Sequence, residues 1–170
     1  VTAEKGKQKK SGTSWVRPAE AIAIAQQLRT WMNSEPGMDL SFGVISFYKA
    51  QAELIQRQLG RTTEDDKRLR IGTVDSFQGM EFDVVFLSMV RTFPHYWKPR
   101  DDSREKLARG LFGHLCLYNR LNVSMSRQKR LLVVVGDSHL LQNDLAEEFI
   151  PGLVDFLNLC RREGRVLQCP

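Results

Sequence analysis

Alternating strand-like and helix-like segments along 170 residues predict an α/β fold, with a mainly parallel sheet and helices on both faces. Three observations carry this. Phe82 to Val90 is too apolar for a half-exposed strand and fits a central strand covered on both sides. Leu131 to Val135 is a second short apolar run of the same kind. The stretches before and after these runs have the spacing of amphipathic helices.

Each element has a local reason. Ala19 to Met32 has helical spacing, and Pro18 suits its first turn because the missing N–H would be unbonded there anyway. Asn33 to Leu40, with Pro36 and Gly37, reads as a loop. Phe42 to Phe47 reads as a strand and Lys49 to Leu59 as an amphipathic helix. A polar loop from Arg61 to Lys67 leads to a strand from Leu69 to Val74, and Val84 to Met89 forms the central strand. Thr92 to Leu111 breaks the pattern as an irregular insertion, and connections of this length in compact domains are usually functional or disordered. Its end, Lys106 to Leu111, reads as a helical turn. A helix over residues 120–127 then places Arg120 and Arg127, seven apart, on one face, with Leu121 and Met125 toward the core. Leu140 to Leu145 and Phe149 to Arg162 read as helices, and Val166-Leu-Gln168 as a short edge strand.

Length and composition bound the rest. The chain fits one domain with a real core, and its start at Val1 without methionine suggests a piece of a longer protein. There is no secretory signal and no apolar run near the 18 or so residues that span a membrane, so no membrane partner is expected. Cys116, Cys160 and Cys169 are scattered, which argues against a zinc site or a disulfide framework and for a cytoplasmic or nuclear setting. His95, His114 and His139 lack metal-ligand spacing, so no metal site is expected on this chain. Lys5, Lys7, Lys9, Lys10 and Arg17 against Glu4 supply +4 of the net +5. Residues 1–13 therefore read as a basic flexible tail, and residues 14–170 as the domain.

Two stretches carry chemistry. Thr73, Asp75, Ser76, Gln78, Gly79 and Glu81 put hydroxyl, amide and carboxylate groups in one turn at a strand end, the usual ligand position in open α/β sheets. A plain connecting turn has the same composition. No acidic residue occurs between Glu105 and Asp137, whereas Lys106, Arg109, Arg120, Arg127, Lys129 and Arg130 all lie there. That region reads either as an anion-binding surface or as a basic amphipathic helix covering the sheet. In the insertion, Tyr96 and Trp97 beside Lys98 and Arg100 either stack on unpaired bases or pack on protein.

Together these residues resemble the second RecA-like domain of a superfamily 1 helicase, in the branch of the nonsense-mediated-decay helicase and senataxin. Thr73-Val-Asp-Ser-Phe-Gln-Gly-Met-Glu81 through Arg91 resembles helicase motif V, Arg120-Leu-Asn-Val-Ser-Met-Ser-Arg127 motif VI, and Ile45-Ser-Phe-Tyr-Lys-Ala-Gln51 motif IV. Ser14-Trp-Val-Arg-Pro-Ala-Glu-Ala21 resembles the short motif that opens the domain. Four ordered motifs cover the chain from about Ser14 to Asp137.

The resemblance implies a RecA-like fold without its own phosphate-binding loop, since Gly-x-x-x-x-Gly-Lys-Ser/Thr is absent. ATP and Mg2+ would be held mainly by the first RecA-like domain of the same protein, in the cleft between the two, and this chain alone should not hydrolyse ATP. Arg127 corresponds to the arginine finger, the catalytic residue of this half. Arg120, Gln78, Gly79, Glu81 and Arg17 correspond to nucleotide-side positions. Thr73, Ser76, Gln51 and Trp97 fall to the single-stranded nucleic acid, whether DNA or RNA. ATP-driven translocation and unwinding follow, with 5′-to-3′ polarity.

This chain departs from the family pattern in three places. Arg17 stands where asparagine is usual, Ser126 where threonine is, and Lys129 where a second arginine is common. Two other functions stay open on sequence alone: a non-catalytic helicase-like scaffold that binds nucleic acid or protein, and a motor fused to a nuclease or other effector.

Overall fold

The computed structural model describes residues 6–60, 65–94 and 102–168. A hairpin opens the chain, with β1 (Lys9–Ser11) antiparallel to β2 (Ser14–Val16). Next come α1 (Pro18–Met32), β3 (Phe42–Ser46), α2 (Lys49–Leu59), β4 (Leu69–Thr73) and β5 (Phe82–Ser88). After the long connection follow α3 (Arg104–Phe112), α4 (Tyr118–Ser124), β6 (Gln128–Val135), α5 (Asp144–Phe149) and α6 (Pro151–Arg162).

The main sheet has the order β4-β3-β5-β6, and every neighbouring pair is parallel. Period-two alternation sends successive side chains to opposite faces, and both faces are buried. On one, Phe42, Val44, Val84 and Phe86 meet Ile24 and Leu28 of α1 and Ile55 of α2. On the other, Ile45, Val85 and Leu87 meet Phe112, Leu121, Leu145 and Leu153 from the second half of the chain. This is the predicted α/β architecture, a RecA-like sheet between helical layers.

Several expectations need correction. Residues 6–13 are not simply a tail: Lys9–Ser11 forms β1, the Thr92 N–H donates to Gln8 Oε1 (3.0 Å), and Arg17 Nε donates to the Gly6 carbonyl (2.9 Å). Trp15 anchors this hairpin, with the Arg91 guanidinium 5.1 Å from its ring centre and Lys10 Nζ 5.7 Å away.

The helix over 120–127 also stops early. The Ser124 hydroxyl donates back to the Leu121 carbonyl (2.7 Å), which competes with helix continuation, and Met125 closes the turn. The Phe82 N–H donates to the Arg127 carbonyl (2.9 Å), so the chain has already joined the sheet there. Arg120 and Arg127 therefore do not share a helix face. For the same reason β6 begins at Gln128, three residues before the apolar run, with Lys129, Arg130 and Leu131 exposed.

The helix expected over 140–145 is a 3-10 turn, Ser138–Leu141, followed by α5, whose first turn is capped by Asn143 Oδ1 accepting from the Ala146 N–H (3.0 Å). The edge strand at 166–168 is reduced to a bridge at Gln168. Within the insertion α3 is regular, capped by Ser103, and residues 95–101 lie outside the described part.

Candidate functional site

Residues 74–81 link β4 to β5. Because both strands run parallel, this short segment must return from the C-terminal edge of the sheet to its N-terminal edge. Val74–Phe77 forms a 3-10 turn laid against the sheet. Arg70 Nε donates to the Ser76 carbonyl (3.2 Å), and the Phe77 ring packs tilted against Phe82 with ring centres 5.5 Å apart. Glycines make room for it, since a Cβ at Gly72 would strike Ser76 Oγ and one at Gly43 would press on Phe77 and Phe82 at 3.0 Å. The turn therefore does not sit at one strand end as expected: Thr73 closes β4 at the C-terminal edge, while Gln78 to Glu81 emerge at the N-terminal edge.

That emergence forms a rim. Gln78, Gly79, Met80 and Glu81 are all exposed, and Gly79 adopts φ +76°, a left-handed conformation that glycine takes without a Cβ clash. Arg127 lies alongside, brought there by the ladder bond between its carbonyl and Phe82. Its guanidinium donates to the Val123 carbonyl (3.1 Å), the Met80 carbonyl (3.4 Å) and Ser126 Oγ (2.9 Å). Those bonds occupy three of the five N–H donors of an arginine and aim the fork along the rim. Arg120 projects from α4 to Asp75 with a 2.9 Å ion pair, which pins the 3-10 turn to that helix.

Thr73 and Ser76 are half-buried, and the Ser76 hydroxyl donates to the Thr73 carbonyl (2.7 Å). Trp97 lies outside the described residues.

Two expected site residues are placed elsewhere. Gln51 is 0% exposed. Its Oε1 accepts from the Arg17 N–H (2.9 Å), and its Nε2 donates to the Arg17 carbonyl (3.2 Å) and to Ser88 Oγ (3.0 Å). Arg17 is 1% exposed and forms a 3.1 Å ion pair with Glu20, so its guanidinium lies in the domain interior. Arg17, Gln51, Glu20 and Ser88 form a buried polar knot where α1 and α2 meet β5.

Glu20 is the centre of that knot. Its carboxylate accepts from Ser88 Oγ (2.6 Å) and from the Val90 N–H (2.9 Å) besides Arg17. Burial pushes the Glu20 carboxyl above the ordinary carboxylate range, against the pull of Arg17, Ser88 and Val90. Val90 has φ +67°, a strained conformation for a β-branched residue, and the bond to Glu20 helps hold it. The bend turns Arg91 inward, where its guanidinium donates to the Leu111 carbonyl (2.9 Å) and the Gly110 carbonyl. A signal for Glu20 exists in the sequence: with Ile24 and Leu28 it continues the buried stripe of α1 at i, i+4 spacing. Ser88 shows a weaker one, as a hydroxyl inside a fully apolar run.

Among the described residues no three His, Cys, Asp or Glu side chains converge as a metal site would require. No described helix is long and apolar enough to cross a membrane.

A parallel sheet sandwiched between helices, with an arginine and an exposed Gln-Gly-Met-Glu turn on one rim, is consistent with a RecA-like domain. A family model described as AAA domain matches residues 1–139. The chain is 31% identical over 163 residues to the putative helicase MOV-10 of Gallus gallus, covering 89% of this chain and 16% of that protein. It is 32% identical over 133 residues to the RNA helicase Mov10l1 of Homo sapiens (77% and 10%). It is 41% identical over 124 residues to the DNA polymerase alpha-associated DNA helicase A of Saccharomyces cerevisiae (71% and 16%). The chain belongs to this AAA domain family, as the second RecA-like domain of a superfamily 1 helicase. It spans 16% or less of these relatives' length.

Proposed function

We propose that this chain is the second motor domain of an ATP-dependent helicase or translocase acting on single-stranded DNA or RNA, and that Arg127 is its arginine finger. The observation that carries this is the Arg127 guanidinium. It is held at the rim by the Val123 and Met80 carbonyls and Ser126, with two N–H donors left for a phosphate. A planar, permanently charged fork stabilises charge developing on a transferring phosphoryl group, typically by about 10³–10⁵ in rate.

Gln78, Gly79 and Glu81 line the same rim and supply an amide, an approachable backbone and a carboxylate for the ribose or the phosphate-bound water. Arg120 fixes that turn through Asp75. Glu81 is a lone carboxylate on this rim and no three acidic, His or Cys side chains converge among the described residues, so Mg2+ is assigned to the first RecA-like domain. Thr73 and Ser76 would face the nucleic-acid phosphates, which position a strand without reading its sequence. Residues 74–81 then join the two edges of the sheet, so domain closure on ATP and grip on the strand act through one segment.

The test is ATP turnover by the full-length protein, with and without single-stranded DNA and RNA, beside the 170-residue chain. Stimulation by one nucleic acid and a silent short chain are expected. A folded full-length protein with no stimulated turnover would instead favour the scaffold role.

A further inference from the structure

α4 buries Leu121 and Ser124. Tyr118 stands one turn before Leu121, where a helix would continue that buried face, yet it is 68% exposed. Leu117 beside it is 45% exposed. Both are presented by a 3-10 turn, Gly113–Cys116, closed by the Leu117 N–H donating to the His114 carbonyl (3.1 Å). Tyr118 makes no hydrogen bond and no ring contact among the described residues.

The neighbours of this aromatic patch place it on the sheet. The His114 ring packs edge-on against Tyr48 with ring centres 5.1 Å apart, and the His114 N–H donates to the Tyr48 hydroxyl (3.4 Å). Tyr48 lies two residues past Ser46, the last residue of β3, and Ser46 is paired with Thr73 at the end of β4. Arg120, two residues on from Tyr118, reaches Asp75, two residues past Thr73. The patch therefore flanks the C-terminal edge of the sheet, next to Thr73 and at the opposite edge from Gln78–Glu81. Its surroundings are cationic. No acidic residue lies between Glu105 and Asp137, and Asp75 is matched by Arg120. Arg109, exposed at the end of α3, lies beside Cys116, where burial pushes the thiol pKa up and the Arg109 charge opposes it. Arg109 closes no ion pair among the described residues, not even with Glu105 one helical turn back.

We propose that Tyr118 is a stacking platform for an unpaired base of a single-stranded nucleic acid, with Arg109 supplying charge for the neighbouring phosphates. An open aromatic face in a cationic setting suits a ligand that carries both π-faces and negative charge, which an unpaired strand does. This deepens the motor reading and rests on it: Thr73 and Ser76 meet the backbone of the strand, and Tyr118 takes a base of that same strand. Stacking accepts every base, so the grip adds affinity without reading sequence.

The experiment titrates the full-length protein into fluorescein-labelled (dT)12 and U12, read by polarisation. Tyr118→Ala should weaken the preferred strand about fivefold to a hundredfold, and Tyr118→Phe should restore it. The same strand with its bases replaced by hydrogen should bind the parent and Tyr118→Ala equally. The slope of log affinity against log salt should stay unchanged in Tyr118→Ala, because no phosphate contact is lost, and should fall by about one in Arg109→Gln. Unchanged affinity in Tyr118→Ala would overturn the proposal alone and leave the patch to a protein contact. An equal loss on the base-free strand would overturn it as well, by showing a structural role. A parent protein that binds neither strand would overturn the motor reading and this proposal with it.

Discussion

The buried knot around Glu20 and the open rim around Arg127 use the same residue types to opposite ends. Both hold an arginine, a glutamine and a glutamate. In the knot, Gln51 uses both ends of its amide, and Glu20 meets Arg17, Ser88 and the Val90 N–H with nearly no exposure. On the rim, Gln78 and Glu81 are exposed, and Arg127 is held by its own neighbourhood with donors to spare. Saturated polar groups in a low-dielectric interior specify structure, whereas unsaturated ones at an edge are available to a ligand. Residue type alone does not separate the two; the number of partners does.

The comparison breaks most visibly with Arg127→Ala. Nucleic-acid-stimulated ATP turnover of the full-length protein should fall about 10³-fold or more, with the thermal midpoint nearly unchanged. A variant with ordinary turnover would remove the finger assignment. Glu20→Ala should act the other way round, removing the buried carboxylate that pairs with Arg17 and costing about 3–5 kcal/mol of stability. Urea unfolding would measure it, and a loss below 1 kcal/mol would mean that the knot carries little of the fold. Gln51→Ala leaves buried groups of Arg17 and Ser88 short of partners and should cost about 1–3 kcal/mol in the same assay.

The smallest effect concerns Asp83, which lies outside both regions. Its carboxylate accepts from the Ser41 N–H and hydroxyl and pairs with Arg130, and these donors hold its pKa below the ordinary 3.8. A depressed folded pKa gives stability that is present above pH 3.8 and is lost as pH falls through the lower folded value. Asp83→Asn should therefore lower stability slightly at neutral pH, flatten the acid limb, and converge with the parent protein once pH falls below the folded value. An unchanged acid limb in a pH series of denaturation midpoints would count against this.

Much of the fold was legible because its signals are local. α2 spans Lys49–Leu59 as its amphipathic spacing predicts, and α1 begins at Pro18. The central strand β5 is as apolar as a doubly covered strand must be. What sequence reasoning missed was set by partners far along the chain. Arg127 left its helix because Phe82 draws its carbonyl into the sheet, and β6 extends through Lys129 and Arg130 because an edge strand tolerates polar residues. Gln51 is enclosed by Arg17 and Ser88, 34 and 37 positions away, which no local pattern announces. Motif matching put Arg17 and Gln51 among the ligand contacts, and packing made them internal.

The knot also has a temporal meaning. Glu20 reaches the Val90 N–H across 70 positions, and both ends are in place only after α1, α2 and the parallel strands β3 and β5 have come together. Such a contact closes late in folding, since long-range parallel pairing precedes it. Truncating Glu20 should then leave the refolding rate nearly as it was and speed unfolding, so that the chevron shifts on its unfolding arm alone. A single buried carboxylate would thereby set how long the domain persists once formed.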